Sequence, residues 1–200
     1  HVAKPELEQT QIGISTLGVP YDHDEQAIEK VLLGVLSGGM SSRLFTEVRE
    51  KQGLVYWVGA WAEQPRDIGM LHIGAATKPD RAKKTYDTLL REIARLTDDL
   101  TEEELERAKT GLIAESVTSG ASVQQRANDL FVDQFHLGHA VPAEERREAI
   151  RAVTVADIRR YLEAHPRDAL SIVTVGPEPL ADVSGEEPAS SAEEKGEVCS

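Results

Sequence analysis

An α+β fold, with a sheet of about four to six strands covered on one face by helices, is what this chain of 200 residues predicts, on three observations. Runs rich in Val, Ile, Leu and Thr stand near both ends, at 11–19 and 168–176. Two further runs, 54–63 and 68–76, flank the turn signal Gln64-Pro65-Arg66-Asp67 and read as an antiparallel hairpin. Between the hairpin and the last run lie four or five segments whose apolar residues recur at helical spacing. The order strand, two helices, hairpin, helices, strand packs as helices segregated to one face of a sheet.

Each element has its own local warrant. After a polar lead, Gln11 to Val19 alternates as a strand, with Ile12 and Ile14 on one side and Leu17 and Val19 on the other, until Pro20 closes it. Asp22 and Glu25 have the spacing of a capping box, and Ile28, Val31, Leu32, Val35 and Leu36 carry a helix to about Ser37. Ser41 or Ser42 is placed to cap a second helix, which Gln52-Gly53 ends before the hairpin's first strand. Trp57 and Trp61 lie two pleats apart on one face of that strand, as core or interface packing.

Thr77, with Pro79 just inside, starts a helix with the stripe Ala82, Tyr86, Leu89, Leu90, Ile93 and Leu96, ending near Asp98-Asp99. Thr101 and Glu104 form a second capping box, Leu100 is placed to staple against Leu105, and the helix reaches about Thr118 before Gly120 breaks it. Ser122 and Gln125 mark another start, with Leu130, Phe131 and Phe135 as the side expected to be buried, up to Gly138. A short helix over 143–151 follows. Thr154 caps one through Ile158, Tyr161 and Leu162, and the last strand carries Leu170, Ile172, Val173 and Val175 to Gly176.

Composition bounds the function. The length and apolar fraction suit one main domain, expected over residues 1–178. From Pro179 the chain turns to Glu, Ser, Pro, Ala and Gly, and 179–200 reads as an acidic, disordered tail or linker. A formal charge of −13 with no Lys/Arg-rich block excludes a nucleic-acid binder. No apolar run reaches the roughly 18 residues of a membrane span. The first residue is His1 instead of Met, which hints at a fragment or processed form and leaves the compartment open. The single cysteine, Cys199, excludes an internal disulfide framework and reads as an exposed thiol without function.

One stretch, Ser37 to Trp61, looks chemical. Arg49 falls in the last turn of its helix and Tyr56 near the start of its strand, so a guanidinium and a phenol can meet at the junction. A cation beside a hydroxyl suits a carbonyl oxygen that gains negative charge. Taken alone, each residue also has a structural explanation: an Arg is favourable at a helix C-terminus and a Tyr is common on a strand.

The run Gly38-Gly39-x-Ser41-Ser42-Arg43-Leu44-Phe45, continued by Arg49-Glu50-Lys51-x-Gly53-Leu54-x-Tyr56, resembles the C-terminal, non-zinc half of the inverted-motif zinc metallopeptidases. That family includes pitrilysin, insulin-degrading enzyme, the mitochondrial processing peptidase and core subunits of a respiratory complex. The resemblance implies a processing-peptidase-like half-domain in which Arg49 and Tyr56 bind the substrate backbone and stabilise the oxyanion. It implies no cofactor in this chain. The zinc belongs to a homologous partner domain carrying H-x-x-E-H, in the same polypeptide or on a separate subunit, and the substrate is a peptide. The chain alone would then be inactive. An alternative is a structural or assembly subunit that keeps the fold and does no chemistry. Trp57 departs from the family pattern, which often has a small or polar residue after the Tyr.

Other candidates are weaker. A zinc peptidase needs two histidines one helical turn apart and a third ligand; the nearest approach, His136-Leu137-Gly138-His139, lacks an intervening Glu and straddles a helix end. His23, His72 and His165 stand alone in the sequence, as surface or hairpin residues. The loop Gly38-Gly39-Met40-Ser41-Ser42-Arg43 could cradle a phosphate at a helix N-terminus, but it has neither the Walker Lys nor the G-x-G-x-x-G spacing, which favours an ordinary loop with a Ser cap. The acidic run Glu102-Glu103-Glu104-Glu106 opens a helix as a solvated face.

Overall fold

Alternation along the first long strand decides which way the sheet faces. A computed structural model describes residues 1–166 and 169–180 of the chain. In it β2 (Thr10–Gly18) buries Thr10, Ile12 and Ile14 and leaves Gln11 and Leu17 in water. Its partners are β4 (Gly69–Thr77), with Ile14 opposite Ile73, and β5 (Ser171–Gly176), with Ile14 opposite Ile172, both antiparallel. The hairpin strand β3 (Val55–Glu63) pairs antiparallel with β4. The polar lead contributes a short strand, β1 (Val2–Ala3), parallel to β5. The sheet therefore has five strands in the order β1-β5-β2-β4-β3, with β3 at one edge.

The helices lie on the face that carries Ile12, Ile14, Leu71 and Ile73. Helix α1 (Gln26–Ser37) buries Val31, Leu32, Val35 and Leu36, and α2 (Ala82–Asp99) buries Tyr86, Leu89, Ile93 and Leu96, the stripes expected from their spacing. Helices α3 (Glu102–Ser119), α5 (Ala143–Ala152) and α6 (Val155–Ala164) complete the layer, while α4 (Val123–His136) buries only Asp133. Capping boxes form at Thr101/Glu104 and Thr154/Asp157, and Ser122 accepts from the Gln125 amide. Leu180, the last described residue, belongs to the same core. Of the stretch 179–200 expected to form a tail, residues 181–200 lie outside the described residues, as do Arg167 and Asp168.

Four local expectations are corrected. The Asp22/Glu25 capping box does not form; α1 starts after Glu25 without a side-chain cap, and the Glu25 carboxylate pairs instead with His165 Nε2 at 2.9 Å. Thr77 ends β4 instead of capping α2, and its hydroxyl donates to the Leu54 carbonyl at 2.5 Å. A short 3-10 turn (Pro79–Arg81) leads into α2. Ser42 does not cap the helix after α1; its hydroxyl donates back to the Gly39 carbonyl at 2.6 Å. The fourth correction is α4, whose apolar side faces outward: Leu130, Phe131 and Phe135 are 53%, 67% and 50% exposed.

The rotation of α4 follows from one carboxylate. Asp133, 1% exposed, accepts from the Tyr21 hydroxyl at 3.0 Å and the Val141 amide at 3.0 Å and pairs with Arg146. Turning the phenylalanines inward would strip a buried charge of these partners, which costs more than exposing the apolar stripe. The phenylalanines pack on each other instead, with centroids 6.2 Å apart, and Arg66 lies over the Phe135 ring at 5.4 Å. Phe131→Ser should therefore change stability by no more than about 0.5 kcal/mol, as an exposed site does. Thermal denaturation checks this; a buried phenylalanine would cost several times as much.

Candidate functional site

The junction between α1 and β3 is built from residues with separate duties. At Gly38 a Cβ would stand 2.4 Å from the Gly34 carbonyl oxygen, and Gly39 has φ +118°, so the two glycines let the chain leave α1 sharply. Arg43, 7% exposed, then anchors the new segment: its guanidinium donates to Asp99 Oδ1 at 2.6 Å and to both Glu104 oxygens at 2.7 and 2.8 Å. Leu44 and Val48 are fully buried beside it.

The segment Phe45–Glu50 is a π-helix, where the sequence predicts an ordinary α-helix. Its wider turn is seen in the Lys51 amide, which donates to Thr46 O five residues back at 2.9 Å. Gly53, at φ +58°, ends the segment. The junction is then tied on several sides: the Gly53 amide donates to Arg49 O, the Leu54 amide to Val48 O, and Arg81 to Gly53 O at 2.7 Å.

Within this frame the two residues singled out by the sequence, Arg49 and Tyr56, lie at the surface. Arg49 is exposed in the last turn of the π-helix, with its guanidinium carbon 5.1 Å over the Phe45 ring. Tyr56 is 55% exposed and sits in a β-bulge, because Val55 pairs with Thr77 and Trp57 with Ala76, its next neighbour. The extra residue breaks the alternation, so Tyr56 and Trp57 are both exposed. Among the described residues neither Arg49 nor Tyr56 makes a hydrogen bond or an ion pair with a side chain. Both polar ends are free to bind something else.

Beside the junction runs a groove of about 450 Å³ between Met40, Ser42 and Phe45 on one side and Trp57, Gly59 and Trp61 on the other. Arg49 and Tyr56 are not part of its lining, and Phe45 connects the groove to Arg49. The tryptophans belong to the sheet face that the helices leave open, at 48% and 40% exposed, and are not core residues.

The histidines all touch other side chains or backbone, although His72 Nε2 and His136 Nδ1 are buried without a hydrogen-bond partner among the described residues. His72 receives or gives a hydrogen bond with Ser15 Oγ at 2.8 Å and stacks on Trp61 at 5.5 Å. His165 packs on Tyr161 at 4.6 Å beside its bond to Glu25, and His23 meets His165 edge-on. These contacts join residues far apart in sequence. His136 packs against Tyr21 at 4.8 Å, while His139 bonds the Leu137 carbonyl. Among the described residues no group of three or more His, Cys, Asp or Glu side chains is placed to hold a metal ion, so they do not fit a zinc centre. Nor is any described helix long and apolar enough to cross a membrane.

A buried polar set was not anticipated. Glu29, 1% exposed on α1, accepts from the Val19 amide at 2.9 Å and from the Tyr161 hydroxyl, fastening α1 to the end of β2 and to α6. Lys109 donates to the Val153 carbonyl at 3.0 Å. These residues hold the frame and lie away from Arg49 and Tyr56 in the chain; their apolar-looking helical spacing gave no signal.

Comparison with known proteins places this geometry. A family model described as the peptidase M16 inactive domain matches residues 1–112. A protein of Rickettsia felis described as an uncharacterized zinc protease is 35% identical over 154 residues, 76% of this chain and 37% of its own length. One from Bacillus subtilis with the same description is 30% identical over 153 residues, again 76% and 37% of the two chains. Among solved structures, a peptidase M16 inactive domain from Pseudomonas fluorescens superposes with TM-score 0.76 at 26% identity, covering 90% of this chain and 43% of that one. A protease from Helicobacter pylori, at TM-score 0.79 and 19% identity over 89% of this chain and 43% of its own, shares the fold. The chain spans about two fifths of the length of these relatives.

Proposed function

The chain belongs to the peptidase M16 inactive-domain family, the C-terminal domain of the zinc proteases, and from that premise we propose that it supplies one side of a two-domain active site in a zinc endopeptidase. Arg49 and Tyr56 would bind the peptide backbone there and donate to the scissile carbonyl oxygen as it gains negative charge. The observation that carries this reading is the exposure of both side chains, without side-chain partners among the described residues, at the ends of a junction held by backbone hydrogen bonds. A backbone held before the reaction limits the reorganisation that its two donors need during it.

The zinc belongs in a homologous H-x-x-E-H domain, in the same polypeptide or on another subunit, since the described residues of this chain offer no metal-binding group. The greater length of the relatives leaves room for such a domain in them. The edge position of β3 supports a peptide substrate bound as an added strand, because the strand's outer side pairs with no other described strand.

The chain by itself, supplied with zinc and an unstructured peptide, should show no hydrolysis. Cleavage that a chelator abolishes would reveal a metal site within this chain and end the reading of it as the non-zinc half. The structural or assembly alternative predicts that a complete protein carrying Arg49 and Tyr56 is itself inactive, which assay of that protein decides.

A further inference from the structure

The sheet beside the groove carries glycines at a cost in strand stability. Gly13, Gly74 and Gly59 stand opposite one another on three adjacent strands, and glycine weakens a strand interior. The reason at two of them is Trp57. A Cβ on Gly74 would lie 2.8 Å from the Trp57 ring, and one on Gly59 would lie 3.0 Å from it. The indole therefore lies against the open sheet face; the same added Cβ on Gly74 would lie 3.2 Å from the Trp61 ring, which meets Trp57 at 6.1 Å between ring centroids.

Resting on the reading of this face as the peptide side, we propose that the Trp57–Trp61 groove is a subsite for an uncharged apolar or aromatic side chain of the bound peptide. Four observations choose that occupant. No charged residue lines the groove, although 28% of the chain is charged. Its volume of about 450 Å³ falls within the roughly 300–1,000 Å³ of ligand pockets. Both indoles keep large exposed faces, which stack on planar or aliphatic groups. The groove is walled by β3, the edge strand that also carries Tyr56, so a peptide paired along that edge would pass both. Selection here would act on side chains, whereas Arg49 and Tyr56 act on the backbone.

The chain contains two tryptophans, and both line the groove, so intrinsic emission reports on it without any assay of activity. The experiment titrates the chain with a short unstructured peptide carrying one central Phe, and with the same peptide carrying Ser. A saturable change in emission with the Phe peptide, and binding about tenfold weaker with Ser, is expected. Trp57→Ala should abolish the preference. Gly74→Ala should reduce it by displacing the half-exposed ring, with circular dichroism unchanged. Equal affinity for the two peptides, or a preference that survives Trp57→Ala, would overturn the proposal. So would an emission change that follows protein concentration alone, since the groove would then be filled by a second copy. The two readings fail separately: loss of the Phe preference with kcat still sensitive to Tyr56→Phe removes only the subsite, and the reverse removes only the catalytic role.

Discussion

Tyr56→Phe, made in the assembled two-domain protein, should lower kcat by about a hundredfold while zinc content and fold stay unchanged. The substitution removes one hydroxyl from a side chain that is 55% exposed and bonded to no other described side chain, so nothing in the domain is left unsatisfied. In the proposed role it removes a donor to a developing oxyanion, and loss of one such donor typically costs about 3 kcal/mol of transition-state stabilisation. Because the bond strengthens only as charge develops, kcat should fall more than KM rises. Arg49→Lys should be damaging as well. An ammonium has no planar fork, and the stacking of the guanidinium over Phe45, which holds its direction, is lost with it. Steady-state kinetics on one peptide, with metal analysis alongside, measures both. Wild-type kcat/KM in the two variants would make the pair structural and remove the catalytic role.

Much of this architecture is legible in the residues because it is locally encoded. Thr101-x-x-Glu104 forms the reciprocal cap its spacing predicts, Thr154 caps its helix as expected, and the Pro-containing turn after Glu63 brings β3 and β4 together in antiparallel register. The α1 and α2 stripes are buried where 3.6-residue periodicity places them. What escaped detection depends on partners distant in sequence. Phe131 has the spacing of a core residue, but the buried Asp133 two positions on is held by Tyr21, Val141 and Arg146, and this sets which side of α4 faces inward. Periodicity finds an amphipathic helix without saying which face the rest of the domain will satisfy.

The site shows the same division. The pair Arg49 and Tyr56 is proposed from a local motif, and its placement at a helix-to-strand junction follows from Gly53. The π-turn and the bulge that carry the two residues leave no such local mark. Each changes the count of residues by one, the π-helix by bonding Lys51 to Thr46 and the bulge by inserting Tyr56 between paired residues. A sequence with these irregularities carries the same side chains as one without them. The open sheet face is ambiguous in the sequence for a related reason: alternating Trp57, Gly59 and Trp61 suits core and interface packing alike until β4 supplies Gly74 and His72 opposite, beneath rings that stay half in water.

Arg43→Ala should lower the stability of the domain by about 2–3 kcal/mol, toward the low end of what breaking a buried ion pair costs. The arginine is 7% exposed, but its partners Asp99 and Glu104 are 37% and 22% exposed and can recover water when it is gone, which limits the loss. For a domain of this size that corresponds to a fall in Tm of about 5–10 °C. The pH dependence follows from the two carboxylates. Burial pushes both upward, but the hydrogen bonds from Arg43, joined by Arg95 at Asp99 and Thr101 at Glu104, outweigh it and hold each below its ordinary value. A carboxylate depressed in the folded state adds stability that is complete above its unfolded pKa, about 4, and that disappears as pH falls through the folded value. The Tm difference between wild type and Arg43→Ala should therefore be full at pH 7 and shrink below about pH 4, as differential scanning calorimetry at several pH values would show. A gap that stays constant down to pH 2 would mean that the arginine contributes through its packed stem instead. The same side chain sets the entry of the segment that ends in Arg49, so a variant that keeps its Tm and yet loses turnover would show that Arg43 positions the π-helix more than it stabilises the fold.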